Sequence, residues 1–165
     1  MSGTDYVAVF KRGLSTAASS DSDALSLDWS EEYWKKLLVH TVPQRFRASE
    51  VVIQRGATDR ALYFVAAGSL EVGVYRVDTD GIAPIARIGV GSVIGEQAFF
   101  DGQPRSTNVW AVSDGELLRF TFEAFNEFGR AEPALARDFL FALGRVLSMR
   151  LRHTTFRGKG QGKKG

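Results

Sequence analysis

Between Gln44 and Phe120 short apolar runs alternate with turn formers, and this punctuation restricts the chain to a fold of many brief strands. Runs at 51–53, 62–65, 70–77, 82–88 and 109–112 read as strands, the third carrying alternating apolar residues. Arg55-Gly56, Ala67-Gly68-Ser69, Asp78-Thr79-Asp80-Gly81 and Ser113-Asp114-Gly115 supply the turns between them. Strands this short bury apolar surface only by stacking, so the expected fold is mainly β: an antiparallel, jelly-roll-like β-roll. Helical patterns flank it. Asp28 reads as an N-cap with Glu31 three residues on, Trp34, Leu37 and Leu38 share a face, and the helix stops before Pro43. Tyr33 and Trp34 are expected as core anchors. After the strands, 122–128 is a short helix candidate. Pro133 then opens a longer one carrying Leu135, Phe139, Leu140, Leu143, Val146, Leu147 and Leu151.

A chain of 165 residues, 44% hydrophobic and 24% charged, fits one globular domain with short extensions. It has no apolar run of membrane-spanning length and no cationic leader before an apolar core, so a cytoplasmic location is the expectation. Without cysteine there is no disulfide framework or thiolate chemistry. The two histidines, His40 and His153, lie far apart, and no nucleophile–base or metal-ligand constellation can be assembled. The expectation is a non-enzymatic protein without metal or cofactor. Net charge is +2, yet seven bases and no acid follow Asp138, so an acidic body carries a basic end. The division expected is a flexible extension over 1–24 with an apolar island from Tyr6 to Phe10, a domain over 25–155, and a disordered basic tail over 156–165. The island is suited to docking on the domain or on a partner, and the tail to weak contact with nucleic acid or an anionic membrane.

One stretch, 89–109, concentrates binding chemistry. Gly89 and Gly91 bracket a turn, and a short apolar strand leads to Gly95, which lets backbone approach a ligand closely. The next residues, Glu96, Gln97 and Ala98, begin a helical turn whose free N–H groups suit an anion. A turn at Asp101-Gly102 and the stiffening Pro104 then deliver Arg105, a forked cation suited to two phosphate oxygens. With Glu96 to accept from a sugar hydroxyl, the set describes a site for a ribose bearing a phosphate.

Gly95-Glu96-x-Ala98 followed by Pro104-Arg105-Ser106, with Ile94 before and Val109 behind, resembles the phosphate-binding cassette of cyclic nucleotide-binding domains. Gln54-Arg55-Gly56-x-x-Asp59-x-x-Leu62 through Gly68-Ser69-Leu70 resembles the first half of the same domain. The resemblance implies that Glu96 holds the ribose 2′-hydroxyl and Arg105 the cyclic phosphate, that Val72 and Ile85 flank the ligand, and that Arg150 caps the base. Ser106 is placed to touch the phosphate or, in members responding to cyclic GMP, the guanine. Thr107 stands where a small alanine is common and Gln97 where an apolar residue is usual. The implied ligand is cyclic AMP or cyclic GMP, and the implied output is movement of the C-terminal helix toward another protein or another copy of the chain through that helix. Catabolite-activator proteins continue into a helix-turn-helix domain; here about ten Gly/Lys-rich residues remain, so sequence-specific DNA reading is not expected. The competing expectation is a scaffold that keeps the fold, has lost the ligand, and contacts partners through residues 6–10 or the basic tail.

Overall fold

The computed structural model describes residues 4–16, 24–76, 78 and 81–160. Helices α1 (Tyr6–Thr16) and α2 (Glu31–Leu38) precede strands β1 (Val42–Phe46), β2 (Val51–Ile53), β3 (Ala61–Ala67), β4 (Leu70–Arg76), β5 (Gly81–Ile88) and β6 (Val93–Ile94). Helix α3 (Glu96–Asp101) interrupts the strands before β7 (Asn108–Ala111) and β8 (Gly115–Thr121). Helices α4 (Phe122–Ala131) and α5 (Pro133–Gly160) follow. The strands form two four-stranded antiparallel sheets, ordered β1-β8-β3-β6 and β2-β7-β4-β5. This is the β-roll with flanking helices expected from the punctuation.

Strand β3 shows why one sheet has helices on its back. Ala61, Tyr63 and Val65 enter the interior of the roll with Phe46, Leu70, Ile94 and Leu117. Leu62, Phe64 and Ala66 point the other way, into a helical layer with Trp34, Phe120, Phe128, Phe139 and Leu143. A strand buried on both faces reads as a continuous apolar run, as 61–66 does. Strand β1 was not among the expected runs: it begins at Val42 and carries Pro43, and it lies at the edge of its sheet, where a missing N–H is tolerated.

Two features of α2 correct the sequence reading. The N-cap is Ser30, whose hydroxyl accepts from the Tyr33 N–H at 3.3 Å. Leu25, Leu27 and Trp29 are buried at alternate positions, so the chain runs extended through Asp28, and the helix begins only at Glu31, too far on for Asp28 to cap it. Of the two expected anchors only Trp34 is buried; Tyr33 is 42% exposed.

The ends also differ from expectation. Flexibility over 1–24 fails for residues 6–16, which form α1, with Val7 and Phe10 buried against Trp34 and Phe64. The Tyr6 hydroxyl donates to Glu116 Oε1 on β8 at 2.7 Å, and burial together with that carboxylate raises the phenol above its ordinary pKa. Residues 1–3 and 17–23 lie outside the described residues. At the other end α5 runs to Gly160, so the tail expected from 156 is helical for its first five residues, and 161–165 lie outside the described residues.

Candidate functional site

Gly95 sits at the N-cap of α3 with φ +85°, a backbone state that L side chains seldom adopt. A Cβ there would lie 2.6 Å from Arg105 Nη1 and 2.8 Å from the Ala61 carbonyl oxygen. Glycine is therefore required twice, for the turn and for the space that Arg105 fills. Arg105 itself is 4% exposed. Backbone bonds from Gly56 N–H to the Arg105 carbonyl and from Arg105 N–H to the Ala57 carbonyl fix its segment beside the β2–β3 connection.

That placement brings Asp59 to the guanidinium. Arg105 Nε donates to Asp59 Oδ1 at 3.2 Å and Nη2 to Asp59 Oδ2 at 2.6 Å, while Nη1 donates to the Gly95 carbonyl and Nη2 to the Ala61 carbonyl. The fork expected to grasp two phosphate oxygens thus holds an internal carboxylate. Of the five N–H groups a guanidinium carries, these bonds leave one, on Nη1, together with the positive charge. The hydrogen bond from Arg105 holds the Asp59 carboxyl below the usual carboxylate range, with burial opposing. A depressed folded-state pKa contributes stability that is complete above the unfolded value of about 3.9 and is lost as pH falls through the folded value. Denaturant midpoints measured from pH 5 downward are expected to fall less steeply in Asp59→Asn than in the wild type.

Glu96, the first residue of α3, is 6% exposed and is not paired with Arg105. Its Oε2 lies 2.8 Å from Nη1 of Arg150 on α5, and Arg150 Nη2 donates to the Val93 carbonyl on β6 at 2.7 Å. The inner face of α5 carries Leu135, Phe139, Leu143 and Val146 into the core. At the same spacing it then presents Arg150, His153 and Thr154. The helix passes from the apolar core to a cavity of about 280 Å³ lined on one side by Ile53, Val72, Ile85, Ile88 and Val109. Gly95, Glu96, Gln97, Ala98, Arg105, Ser106 and Thr107 and, from α5, Arg150, His153 and Thr154 also line it. The residues that the sequence offered as ligand contacts, Val72, Ile85, Arg150 and those of the 95–98 and 105–107 segments, all line this one cavity. Gln97, though exposed, is held: its Oε1 accepts from Ser106 Oγ at 2.6 Å, tying the start of α3 to the residue after Arg105.

The sequence profile of the cyclic nucleotide-binding domain matches residues 43–132, more than half of the chain. The chain belongs to the cyclic nucleotide-binding domain family. Among curated proteins it is 31% identical over 106 residues to the Pycsar effector protein BcPycTIR of Burkholderia cepacia, covering 64% of this chain and 32% of that protein. It is 32% identical over 97 residues to the cyclic AMP receptor protein of Thermus thermophilus, covering 58% of this chain and 44% of the relative. The match thus spans less than half the length of either relative. Among solved structures, a cyclic nucleotide-binding domain from Methylobacillus flagellatus superposes with a TM-score of 0.81 at 20% identity, over 98% of this chain and 87% of that one. The Thermus thermophilus catabolite activator protein gives 0.70 at 26% identity, over 84% and 62% of the two chains.

Within this cyclic nucleotide-binding domain, four participants are not apparent from the sequence. Asp59 was noted only as part of a pattern, and its pairing with Arg105 crosses 46 positions. His153 and Thr154 had a visible signal, since they extend the apolar stripe of α5 by two further turns beyond Val146. Ile53 was read as a strand residue and lines the apolar wall. Among the described residues there is no group of three or more His, Cys, Asp or Glu that could hold a metal, and no helix is long and apolar enough to cross a membrane.

Proposed function

We propose that this domain binds a 3′,5′-cyclic nucleotide, cyclic AMP or cyclic GMP, and converts occupancy into a change in the position of α5. The observation that carries the reading is the open cavity on which Glu96, Arg105 and Arg150 converge, each anchored by a different element. Arg105 supplies the charge for the phosphate, Glu96 an acceptor for the ribose, and Val72 and Ile85 flank the base or sugar. Binding is assigned rather than catalysis, because the Glu96 carboxylate is held by Arg150 and the hydroxyls of Ser106 and Thr154 donate to Gln97 Oε1 and to the Arg150 carbonyl rather than to a base.

The route to α5 is continuous. Phe99 of α3 packs edge-on against Phe125 and Phe122 of α4 at 5.4 and 5.6 Å, and Phe125 lies 6.1 Å from Phe139 of α5. A ligand that draws α3 inward repacks these rings, and it shifts α5 only by as much as it prefers one packing. Phe141 and Leu151 of α5 are 76% and 67% exposed, which supports pairing with an effector or a second copy through this helix. The basic end of α5 is assigned a weak electrostatic contact at most.

Thermal unfolding with cyclic AMP, cyclic GMP, a cyclic dinucleotide and linear AMP tests the reading. A saturating cyclic nucleotide at about a hundred times its Kd stabilises by about 2.7 kcal/mol, raising Tm by several degrees, whereas linear AMP has little effect. No shift with any of them, and no heat in calorimetry, would leave the ligand-free scaffold as the reading to pursue.

A further inference from the structure

Arg60 stands one position before β3, and alternation along the chain separates its side chain from its neighbours. Asp59 meets Arg105 and Ala61 enters the interior of the roll, whereas Arg60 turns toward the helical layer. There its guanidinium closes the C-terminal end of α3: Nε donates to the Phe99 carbonyl and Nη2 to the Phe100 carbonyl, each at 2.9 Å. A helix end leaves such carbonyls without a partner of its own, and a cation there also meets the negative end of the helix dipole. The same guanidinium lies over the ring of Phe122, the first residue of α4, with its central carbon 3.5 Å from the ring centroid. The Phe122 N–H in turn donates to the Arg60 carbonyl at 3.0 Å.

Helix α3 has six residues, too few to hold a helical shape by themselves. Its first end is fixed by Arg105 Nη1 on the Gly95 carbonyl and its last by Arg60. Glu96, Gln97 and Ala98 lie on the cavity between these two anchors, and Arg60 is not among the described residues that line it. From this geometry we infer that Arg60 is a positioning residue for the ligand site: it clamps the end of α3 to the start of α4, and so holds the cavity-facing residues of α3 in the arrangement a ligand needs. This rests on the cyclic nucleotide reading above. Without the clamp α3 spends part of its time out of place, and the apparent affinity falls in proportion to the fraction of protein competent to bind.

The test measures dissociation constants for cyclic AMP and cyclic GMP well below the melting temperature, in wild type and Arg60→Met. Both constants are expected to rise by about tenfold, the loss that follows if α3 is in place one-tenth of the time. The ratio between the two nucleotides is expected to stay as in the wild type, because Arg60 touches neither. Arg60→Lys keeps the charge but not the planar fork that serves two carbonyls and an aromatic face, and is expected to lie between the two. It also supplies the comparison should the methionine variant fail to fold. Phe122→Leu combined with Arg60→Met is expected to cost less than the product of the two single losses, since either change opens the same clamp. Amide exchange, measured without ligand, is expected to quicken at Phe99 and Gly102 in Arg60→Met and to stay unchanged along β3. A lowered Tm with affinity unaltered in both Arg60 variants overturns the inference, since Arg60 would then serve stability alone. Loss of one nucleotide only also overturns it, and so does unchanged exchange in α3. Wild-type protein that binds neither nucleotide overturns the functional reading, and the exchange result then decides separately whether Arg60 holds α3.

Discussion

Arg105→Ala is expected to weaken cyclic nucleotide binding by about 2–4 kcal/mol, a loss of roughly 30-fold to 1000-fold in Kd. The size does not come from a two-pronged grip on the phosphate, because Asp59 already occupies the fork with Nε at 3.2 Å and Nη2 at 2.6 Å. It comes from charge. With the guanidinium present, the phosphate meets a cation and one remaining N–H; without it, the phosphate enters a pocket with the Glu96 carboxylate on its wall and an Asp59 carboxylate that has lost its cation. The same substitution removes donors from the Gly95 and Ala61 carbonyls, so the variant also loses stability. Calorimetry well below the melting temperature separates the two losses. Arg105→Lys keeps the charge in a site shaped for a planar group, and is expected to retain part of the affinity. Unchanged affinity in Arg105→Ala would remove Arg105 from the phosphate site.

Gly95, Glu96 and Arg105 were legible because the cassette is nearly contiguous: one glycine, one helical turn and one stiffened loop place three groups within eleven residues. The strands were legible for a related reason, since each turn announces itself locally. Asp59 was not, because its approach depends on the antiparallel bonds joining Gly56 and Ala57 to Arg105, which no local pattern encodes. Arg150 lies on the cavity, but its ion pair with Glu96 is not legible in the sequence: it needs the course of α5 relative to α3, which α4 and its packing decide. The end of α5 was misread on composition, where glycine and lysine after residue 157 outweighed a helix already propagating from Pro133. Helix α1 was hidden differently. An apolar island of five residues is too short to show a 3.6-residue period, and only Val7 and Phe10, three apart on one side, become buried.

The helical layer offers the second large effect. Phe10→Ala is expected to destabilise the domain by about 3–5 kcal/mol and to lower Tm by on the order of 10 °C. Phe10 is 3% exposed, stacks on Trp34 with ring centroids 5.8 Å apart, and meets the edge of Phe64 at 5.6 Å. Phe64 in turn contacts Phe120 and Phe139, so the gap opens into the cluster shared by β3, β8 and α5, where neighbours fixed on a sheet cannot collapse to fill it. Lys11→Ala on the exposed side of the same helix is the control, expected to stay within about 0.5 kcal/mol. Affinity for cyclic nucleotide at low temperature is expected to be unchanged in Phe10→Ala, because none of the described residues of α1 lies on the cavity wall. A loss below about 1 kcal/mol in chemical denaturation would mean that α1 is not docked in solution, and that the helical layer closes over Trp34 and Phe64 by another route.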